Sequence, residues 1–206
     1  MTRKGKAQPG RAPASPLRIL RYSLWAVVAM VLVVVAFYAY DQHRVGTGGI
    51  GGPFTLVDQK GETVTQAALD GHPSAVFFGY TFCPDVCPTT LLAATNWLKA
   101  LGPDGNKLKV YFVTVDPERD TQAQMAAYLG AFDPRIVGLT GSRPAIDAML
   151  KEYRVYSKKV GDGPDYSMDH TAAVYLLDSK GRFTGTVDYQ EKDEDALAKL
   201  KRLVAG

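Results

Sequence analysis

One stretch of the chain joins an apolar run to the only two cysteines of the sequence: Ala75-Val76-Phe77-Phe78-Gly79-Tyr80-Thr81-Phe82-Cys83-Pro84-Asp85-Val86-Cys87-Pro88. The run from Ala75 to Tyr80 is typical of a buried strand, and a helical pattern follows from about Pro88 to Leu101. Both sulfurs are therefore expected at a strand-to-helix corner, at or inside the first turn of the helix. The positive end of a helix dipole favours the thiolate, which is the nucleophile of disulfide chemistry and a soft metal ligand.

The spacing of the two cysteines favours one of these uses. Residues four apart on a helix have Cβ atoms roughly 5–6 Å apart, whereas a relaxed disulfide needs about 3.5–4.5 Å. A disulfide between Cys83 and Cys87 would therefore distort the turn and would be easily reduced. A metal with bonds to sulfur of about 2.3 Å bridges the pair with less distortion. The spacing favours a metal and leaves a disulfide open.

Strands and helices alternate around this stretch. We predict a hairpin from 54–57 and 62–65, strands at 108–115 and 136–140, and a second hairpin from 172–178 and 182–188. One predicted helix ends at residue 130, a second spans 144–153 and a closing helix spans 193–204. Between the last two helices we predict an uncertain extended segment at 153–160 and a loop at 161–169. Asp120 or Thr121 is expected to cap the first of these helices, and Ser142 the second. This order predicts an α/β thioredoxin-like fold with an N-terminal hairpin extension, whose parallel central strands are buried on both faces.

The first 52 residues differ in composition from the rest. Residues 1–21 hold six lysines and arginines and no acid, which predicts a basic cytoplasmic tail; the charge of this tail does not indicate a nucleic-acid partner. Residues 22–40 are uncharged and would span about 28 Å as a helix, which predicts a single transmembrane anchor. Residues 41–52 are rich in glycine and predict a tether, and residues 53–206 form the predicted thioredoxin-like domain.

The charge distribution around residues 22–40 predicts the location of the domain. Cations precede the apolar segment, so the positive-inside rule keeps the N-terminus in the cytoplasm. The domain then lies in the periplasm at a bacterial inner membrane, or at the mitochondrial inner membrane in a eukaryote. A cleaved signal peptide is the alternative, but the segment exceeds the usual apolar region of about 7–15 residues and lacks a clear small-x-small cleavage site.

Two thiolates make an incomplete metal site, so a third ligand must come from elsewhere in the chain. His43 lies in the tether and His72 in a turn, whereas His170 lies between the loop at 161–169 and a strand from Thr171. In a thioredoxin-like sheet this loop can lie beside the corner that bears the cysteines. His170 is therefore the candidate ligand, with a hydrogen-bonded structural histidine as the alternative.

A set of two thiolates and one imidazole suits copper. Cu(I) accepts three ligands, two of them soft, and Cu(II) could bind through the same groups. Zinc is the main competitor, but a structural zinc site usually has four protein ligands and no fourth is evident. Asp85 and Asp169 are candidates to orient a ligand, with a surface or capping role as the alternative for Asp85. Met168 could donate a thioether, although loop packing is the simpler role.

Three motifs in this order resemble the Sco/SenC family of copper-binding, membrane-anchored proteins: Tyr80–Pro88, Val115–Thr121, and Asp165–Thr171 followed by Val174–Asp178. The resemblance runs from about Pro53 to the C-terminus. It implies a thioredoxin fold, with Cys83, Cys87 and His170 as the copper ligands. It also implies a role in assembling cytochrome c oxidase at the CuA centre of subunit II, and contact with other copper chaperones.

Three functions remain open at this point. The first is a copper metallochaperone, in which His170 completes the site from a mobile loop that tightens when metal binds. The second is a thiol-disulfide reductase for the cysteines of subunit II, although such enzymes use a spacing one residue shorter. The third is a copper or redox sensor. A peroxidase is less favoured because no activating arginine is identified beside Cys83.

Overall fold

The computed structural model describes residues 16–44 and 49–206. Most of the predicted basic tail and part of the predicted tether lie outside the described residues. The chain divides into two compact units between Arg44 and Val45. The structure has helices α1 Pro16–Arg44, α2 Val86–Ala100, α3 Gln122–Leu129, α4 Arg143–Glu152 and α5 Asp193–Ala205, and strands β1 Thr55–Asp58, β2 Thr63–Thr65, β3 Ser74–Gly79, β4 Lys109–Thr114, β5 Ile136–Thr140, β6 Ser157–Val160, β7 Ser167–His170, β8 Val174–Leu177 and β9 Phe183–Val187.

The first unit contains α1, which includes all of the predicted anchor at residues 22–40. Residues 21–36 are exposed around the whole helix, including Trp25 and Met30. Within the described part of the chain, no helix meets the length and hydropathy expected of a membrane-crossing segment. The helix is confirmed, and its passage through a membrane remains a prediction.

The second unit is built on a seven-stranded sheet in the order β2-β1-β5-β4-β3-β8-β9. β3 is parallel to β4, and β4 to β5, whereas β8 runs antiparallel to β3 and forms a hairpin with β9. All six residues of β3 are buried, as expected for a central strand covered on both faces. The predicted thioredoxin-like α/β fold and its N-terminal hairpin, β1 with β2, are confirmed.

Aromatic rings fill the core on both faces of the central strands. The Phe77 and Phe112 rings stack with centroids 5.8 Å apart, and Phe78 contacts Tyr153 at 5.4 Å. These four side chains are at most 2% exposed, and burying one such ring contributes roughly 1.5–3 kcal/mol. The core therefore holds the C-terminal end of β3 rigidly, where the cysteine-bearing segment begins.

Local capping signals in the sequence are reliable in two helices. The Thr121 hydroxyl accepts the Gln124 amide at 3.2 Å at the start of α3, and the Ser142 hydroxyl accepts the Ala145 amide at 3.4 Å at the start of α4. Both caps are as predicted, with Thr121 rather than Asp120 in the first case. Asp120 is thereby free for another role.

The predicted loop at 161–169 is wrong in its last three residues. Ser167–His170 is strand β7, which pairs with β6 in a separate two-stranded sheet. Tyr166 and Met168 are buried while Ser167 and Asp169 are exposed, which is the two-residue alternation of a strand. Because glycines and Pro164 precede this short alternation, the loop prediction extended too far. The strand predicted from Thr171 begins only at Val174.

Candidate metal centre

The two cysteines occupy different positions at the junction between β3 and α2. Cys83 lies in the connecting turn and is partly exposed, and Cys87 lies in the first turn of α2 and is fully buried. The Cys87 amide donates to the Cys83 Sγ at 3.4 Å, so the sulfur of Cys83 sits at the helix N-terminus. The helix starts at Val86, two residues earlier than predicted. Both cysteines are free thiols.

His170 brings its imidazole to this pair of sulfurs from the end of β7. Its Nε2 lies 3.6 Å from the Cys87 Sγ, and its Nδ1 lies 3.0 Å from the Thr171 carbonyl oxygen. Because a carbonyl oxygen only accepts, Nδ1 carries the proton and donates it to Thr171. The lone pair of Nε2 is then available on the side of the sulfurs, as in a metal-ligating histidine.

Aromatic side chains surround the imidazole. The Phe77 ring lies edge-on at a centroid distance of 6.2 Å, and the Tyr80 ring at 5.9 Å and nearly perpendicular. Both rings come from β3 or the residue directly after it. The same segment that leads to the cysteines therefore also restricts the ring of His170.

The three ligand atoms form a compact group. Cys83, Cys87 and His170 each offer one ligand atom, and these atoms lie within 4.8 Å of one another. A trigonal ion with bonds of about 2.0–2.3 Å needs ligand atoms about 3.7–4.0 Å apart, so small side-chain movements close the site. Among the described residues, no other group of three or more histidines, cysteines and acids has such an arrangement.

The other candidates from the sequence are not in this group. Asp85 is at the N-cap position of α2 but makes no side-chain cap bond, and Asp169 is exposed on β7. Met168 is 8% exposed and belongs to the hydrophobic core, which agrees with its packing role. His72 lies in the exposed turn before β3.

Hydrogen bonding shifts the pKa values of the two cysteine thiols in opposite directions. The Cys87 thiol and nearby backbone amides stabilise the Cys83 thiolate and lower the pKa of Cys83 to about 3. The same interaction with the Cys83 thiolate, together with burial, raises the pKa of Cys87. The metal-free pair therefore carries one negative charge at neutral pH, on the more exposed sulfur.

The connection between β4 and α3 supplies residues to which the sequence assigned no role in this site, since Asp120 was predicted only as a possible helix cap. The Asp120 carboxylate accepts the Thr81 amide at 3.1 Å and the Thr81 hydroxyl at 2.7 Å. Asp116 accepts the Tyr166 hydroxyl at 2.7 Å and the Arg119 Nε at 2.6 Å. The sequence signal that could have indicated Asp116 and Asp120 is their position directly after a buried strand, at the same edge of the sheet as the cysteines.

Comparison with known proteins agrees with this site. The SCO1/SenC family model matches residues 43–205. Similar proteins include the mitochondrial protein SCO2 of Saccharomyces cerevisiae, 32% identical over 91% of this chain and 69% of that protein, and the protein SenC of Rhodobacter capsulatus, 36% identical over 82% of each chain. The copper-bound structure of Bradyrhizobium japonicum ScoI is 49% identical, with a TM-score of 0.71 over 75% of this chain and 99% of that one.

The family match covers the second unit up to residue 205, and this unit contains the sheet, both cysteines and the histidine. The identity to the relatives is well above the level at which only a fold is shared. With its motifs, its fold and this match in agreement, the chain belongs to the SCO1/SenC family.

Proposed function

We propose that this protein is a copper metallochaperone that delivers copper to the CuA centre of cytochrome c oxidase subunit II. One observation carries the proposal: two sulfurs and one imidazole nitrogen from separate elements lie within 4.8 Å of one another. The copper-bound ScoI structure supports it, since that protein shares the fold at 49% identity. Subunit II as the recipient rests on the family resemblance of the three sequence motifs.

The donor set favours copper over zinc. Two thiolates and one imidazole satisfy three-coordinate Cu(I), whereas a structural zinc site usually uses four protein ligands. No fourth histidine, cysteine or acid joins the group among the described residues. Cu(II) could use the same three groups, with water completing the coordination.

Partial exposure makes the site suitable for transfer. Cys87 is buried, but Cys83 and His170 are both partly exposed. A partner ligand can therefore approach the copper from the side of these two residues while Cys87 still holds it. Since His170 lies at the end of a strand, we place this exchange on the hairpin of β6 and β7 rather than on an irregular loop.

X-ray absorption of the Cu(I)-loaded protein tests the ligand set. We expect two sulfur neighbours and one nitrogen neighbour, and His170→Ala should remove the nitrogen and weaken copper binding at least about tenfold. His72→Ala is the matched control, because it removes a histidine outside the group. Unchanged affinity and an unchanged nitrogen signal in His170→Ala would exclude His170 from the site.

A second experiment tests delivery itself. Copper-loaded protein is mixed with metal-free, reduced subunit II domain, the two are separated, and copper is measured in each. We expect copper to move to subunit II, and to remain with the donor when the recipient cysteines are alkylated. Retention of copper beside a reduced recipient would contradict delivery.

The opposite pKa shifts of the two thiols favour thiol-disulfide reduction as a second function, because they leave a reactive thiolate at Cys83 beside a protonated Cys87. The Cys83 thiolate would attack a disulfide of subunit II and form a mixed disulfide, and Cys87 would then displace the second partner thiol and leave a Cys83–Cys87 disulfide. The copper-free Cys87→Ser variant should trap the mixed disulfide, while Cys83→Ser should not. Absence of the trapped species would leave only the copper role. The sensor hypothesis shares this site and predicts neither transfer nor reduction.

We also propose the domain organisation and location expected from the sequence. Residues 22–40 anchor the chain in an inner membrane, the basic tail at 1–21 stays in the cytoplasm, and the tether at 41–52 joins the anchor to the domain at 53–206. The domain then faces the periplasm, or the corresponding side of the mitochondrial inner membrane in a eukaryote. The helical conformation of residues 16–44 and the uncharged, apolar composition of residues 22–40 support this arrangement.

A further inference from the structure

The hairpin of β6 and β7 is a weak platform for a metal ligand. It forms a two-stranded sheet that is separate from the seven-stranded sheet. An isolated two-stranded hairpin is marginally stable in water. His170 is the last residue of this hairpin, so a fixed position for its ring requires contacts between the hairpin and the rest of the domain.

Arg119 makes several of these contacts. Its guanidinium carbon lies 3.6 Å from the centroid of the Tyr166 ring, and its Nη1 donates to the Tyr166 carbonyl oxygen at 2.9 Å. Its Nε forms a 2.6 Å ion pair with Asp116, whose other oxygen accepts the Tyr166 hydroxyl. Tyr166 directly precedes β7 and is therefore fixed at its ring, its hydroxyl and its backbone.

The same guanidinium also contacts the segment that leads to the cysteines. It lies 4.7 Å from the centroid of Phe82 and 5.7 Å from that of Tyr80. Phe82 precedes Cys83, and the Tyr80 ring lies against the ring of His170. One planar cation thus joins the histidine-bearing hairpin to the cysteine-bearing turn.

The chemistry of this contact requires arginine. The Arg119 side chain is only 16% exposed, and its partner Asp116 is 1% exposed. The Nη2 atom is buried and has no hydrogen-bond partner among the described residues, so the aromatic rings are its available neighbours. A planar guanidinium can stack on rings and donate at its edge at the same time, which a lysine cannot.

We propose that Arg119 is a positioning residue of the copper site, which holds His170 within reach of the two sulfurs through its contacts with Tyr166, Asp116 and Phe82. This inference rests on the proposed copper function. Arg119 contributes no ligand atom; it sets where the nitrogen ligand lies. Loss of such supporting contacts around metal ligands typically lowers affinity by about 10- to 100-fold.

Copper affinity and X-ray absorption of Arg119→Ala test the proposal, with Arg135→Ala as the matched control. Arg135 also forms an arginine–aspartate pair, 2.7 Å from Asp133, but that pair does not contact the hairpin. We expect Arg119→Ala to lose about 10- to 100-fold in affinity and to lose nitrogen from the copper shell. Arg135→Ala should keep both.

A double variant separates positioning from general destabilisation. If Arg119 acts through His170, adding Arg119→Ala to His170→Ala should cause little further loss of affinity. Arg119→Lys should restore affinity only in part, because lysine keeps the charge but not the stacking. A wild-type nitrogen signal and affinity in Arg119→Ala, or an undiminished loss in the His170→Ala background, would overturn the proposal.

Hydrogen exchange of the metal-free protein keeps this test independent of copper. The amides of the hairpin, and that of Thr171, which donates to Tyr156 at 3.1 Å, should exchange faster in Arg119→Ala than in Arg135→Ala. The milder Tyr166→Phe, which removes only the hydroxyl bond to Asp116, should show a smaller increase. Equal exchange in all variants would contradict the positioning role of Arg119. A wild-type protein that binds no copper would instead remove the proposed function.

Discussion

At the residue scale, the fold gives two identical thiols opposite preferences for the proton. Cys83 is partly exposed and receives hydrogen bonds from the Cys87 thiol and from backbone amides, so its thiolate is stabilised. Cys87 is buried beside that negative charge, so its thiol keeps the proton. A metal ion that replaces this proton would bind both sulfurs without leaving a buried thiolate unpaired.

The pH dependence of alkylation tests this asymmetry. With the pKa of Cys83 at about 3, the metal-free protein should react with iodoacetamide at Cys83 at a nearly constant rate between about pH 5 and pH 8. An ordinary thiol, with a pKa of about 8.5, would react about tenfold more slowly for each unit by which the pH is lowered over the same range. Mass spectrometry of the labelled peptide measures the rate.

Cys87→Ala is the informative variant in this experiment. It removes the main donor to the Cys83 thiolate, so the pKa of Cys83 should rise and the rate should fall as the pH is lowered. A rate for the wild-type protein that already falls tenfold per pH unit would show that Cys83 is an ordinary thiol.

Gly79 shows how closely the backbone approaches the site. A Cβ atom at this position would lie 2.6 Å from the Cys87 Sγ and 2.8 Å from the Phe112 ring. Gly79→Ala should therefore displace Cys87 or the ring, cost about 1–3 kcal/mol of unfolding free energy, and weaken copper binding. Urea unfolding and copper titration measure the two effects.

Gly49→Ala is the control for this substitution. No atom lies within 4 Å of a Cβ added there, so stability and copper affinity should stay at the wild-type level. Wild-type copper affinity in Gly79→Ala would mean that Cys87 tolerates the added methyl group, and that its position matters less than the geometry indicates.

At the scale of elements, the connection between β4 and α3 links both halves of the candidate metal site. Asp120 binds the turn at Thr81, two residues before Cys83, and Asp116 with Arg119 binds the hairpin before β7. The Thr140 hydroxyl in turn donates to the Asp120 carbonyl oxygen at 2.7 Å, which anchors the connection to β5. The site therefore depends on a segment that supplies no ligand.

Asp120→Asn tests the cysteine side of this connection. Burial raises the pKa of Asp120, while its carboxylate accepts hydrogen bonds from the hydroxyls of Thr114 and Thr81. In asparagine an NH2 group replaces one of the two carboxylate oxygens, so a hydrogen-bond donor would face a threonine hydroxyl that donates in the wild-type protein. The lost hydrogen bond should cost about 1–3 kcal/mol of unfolding free energy. We expect weaker copper binding as well, because the turn that carries Cys83 loosens.

Asp133→Asn serves as the comparison, since Asp133 is also a buried carboxylate with several donors but pairs with Arg135 away from the site. It should lose stability and keep wild-type copper affinity. Equal copper affinity in the two variants would show that the Asp120 contacts stabilise the fold without shaping the site.

At the scale of the whole molecule, we expect the two compact units to have separate tasks. All three proposed ligands and the buried core belong to the second unit, whereas the first contains only α1 among the described residues. Deleting residues 1–44 should therefore leave a folded protein that binds one copper ion with wild-type affinity. It should also move the protein from the membrane fraction to the soluble fraction.

A charge placed inside the anchor provides a finer test of the membrane prediction. Val31→Arg should weaken membrane retention, because an arginine at the centre of a spanning helix costs roughly 2.5–3.5 kcal/mol. Gln42→Arg places the same side chain outside the predicted span and should have little effect. A full-length wild-type chain that remains soluble would contradict the anchor.

Local patterns were sufficient to predict most elements of the fold. The apolar run of β3, the caps at Thr121 and Ser142, and the two hairpins around the sheet all depend on residues close together in the chain. The strand β7 escaped prediction because its alternation spans few residues and follows glycines and Pro164. Its pairing with β6 supplies the support that the local pattern lacks.

The cysteines and His170 could be named as candidate ligands from their residue types, their order and the family resemblance. Their convergence within 4.8 Å depends on packing between residues 83 positions apart, as does the asymmetry of the two thiols. The contacts of Arg119 and Asp120 are of the same kind, because a charge pattern does not reveal which distant turn or hairpin a side chain will meet. Sequence periodicity reports local conformation, and long-range contacts form only when the chain is folded.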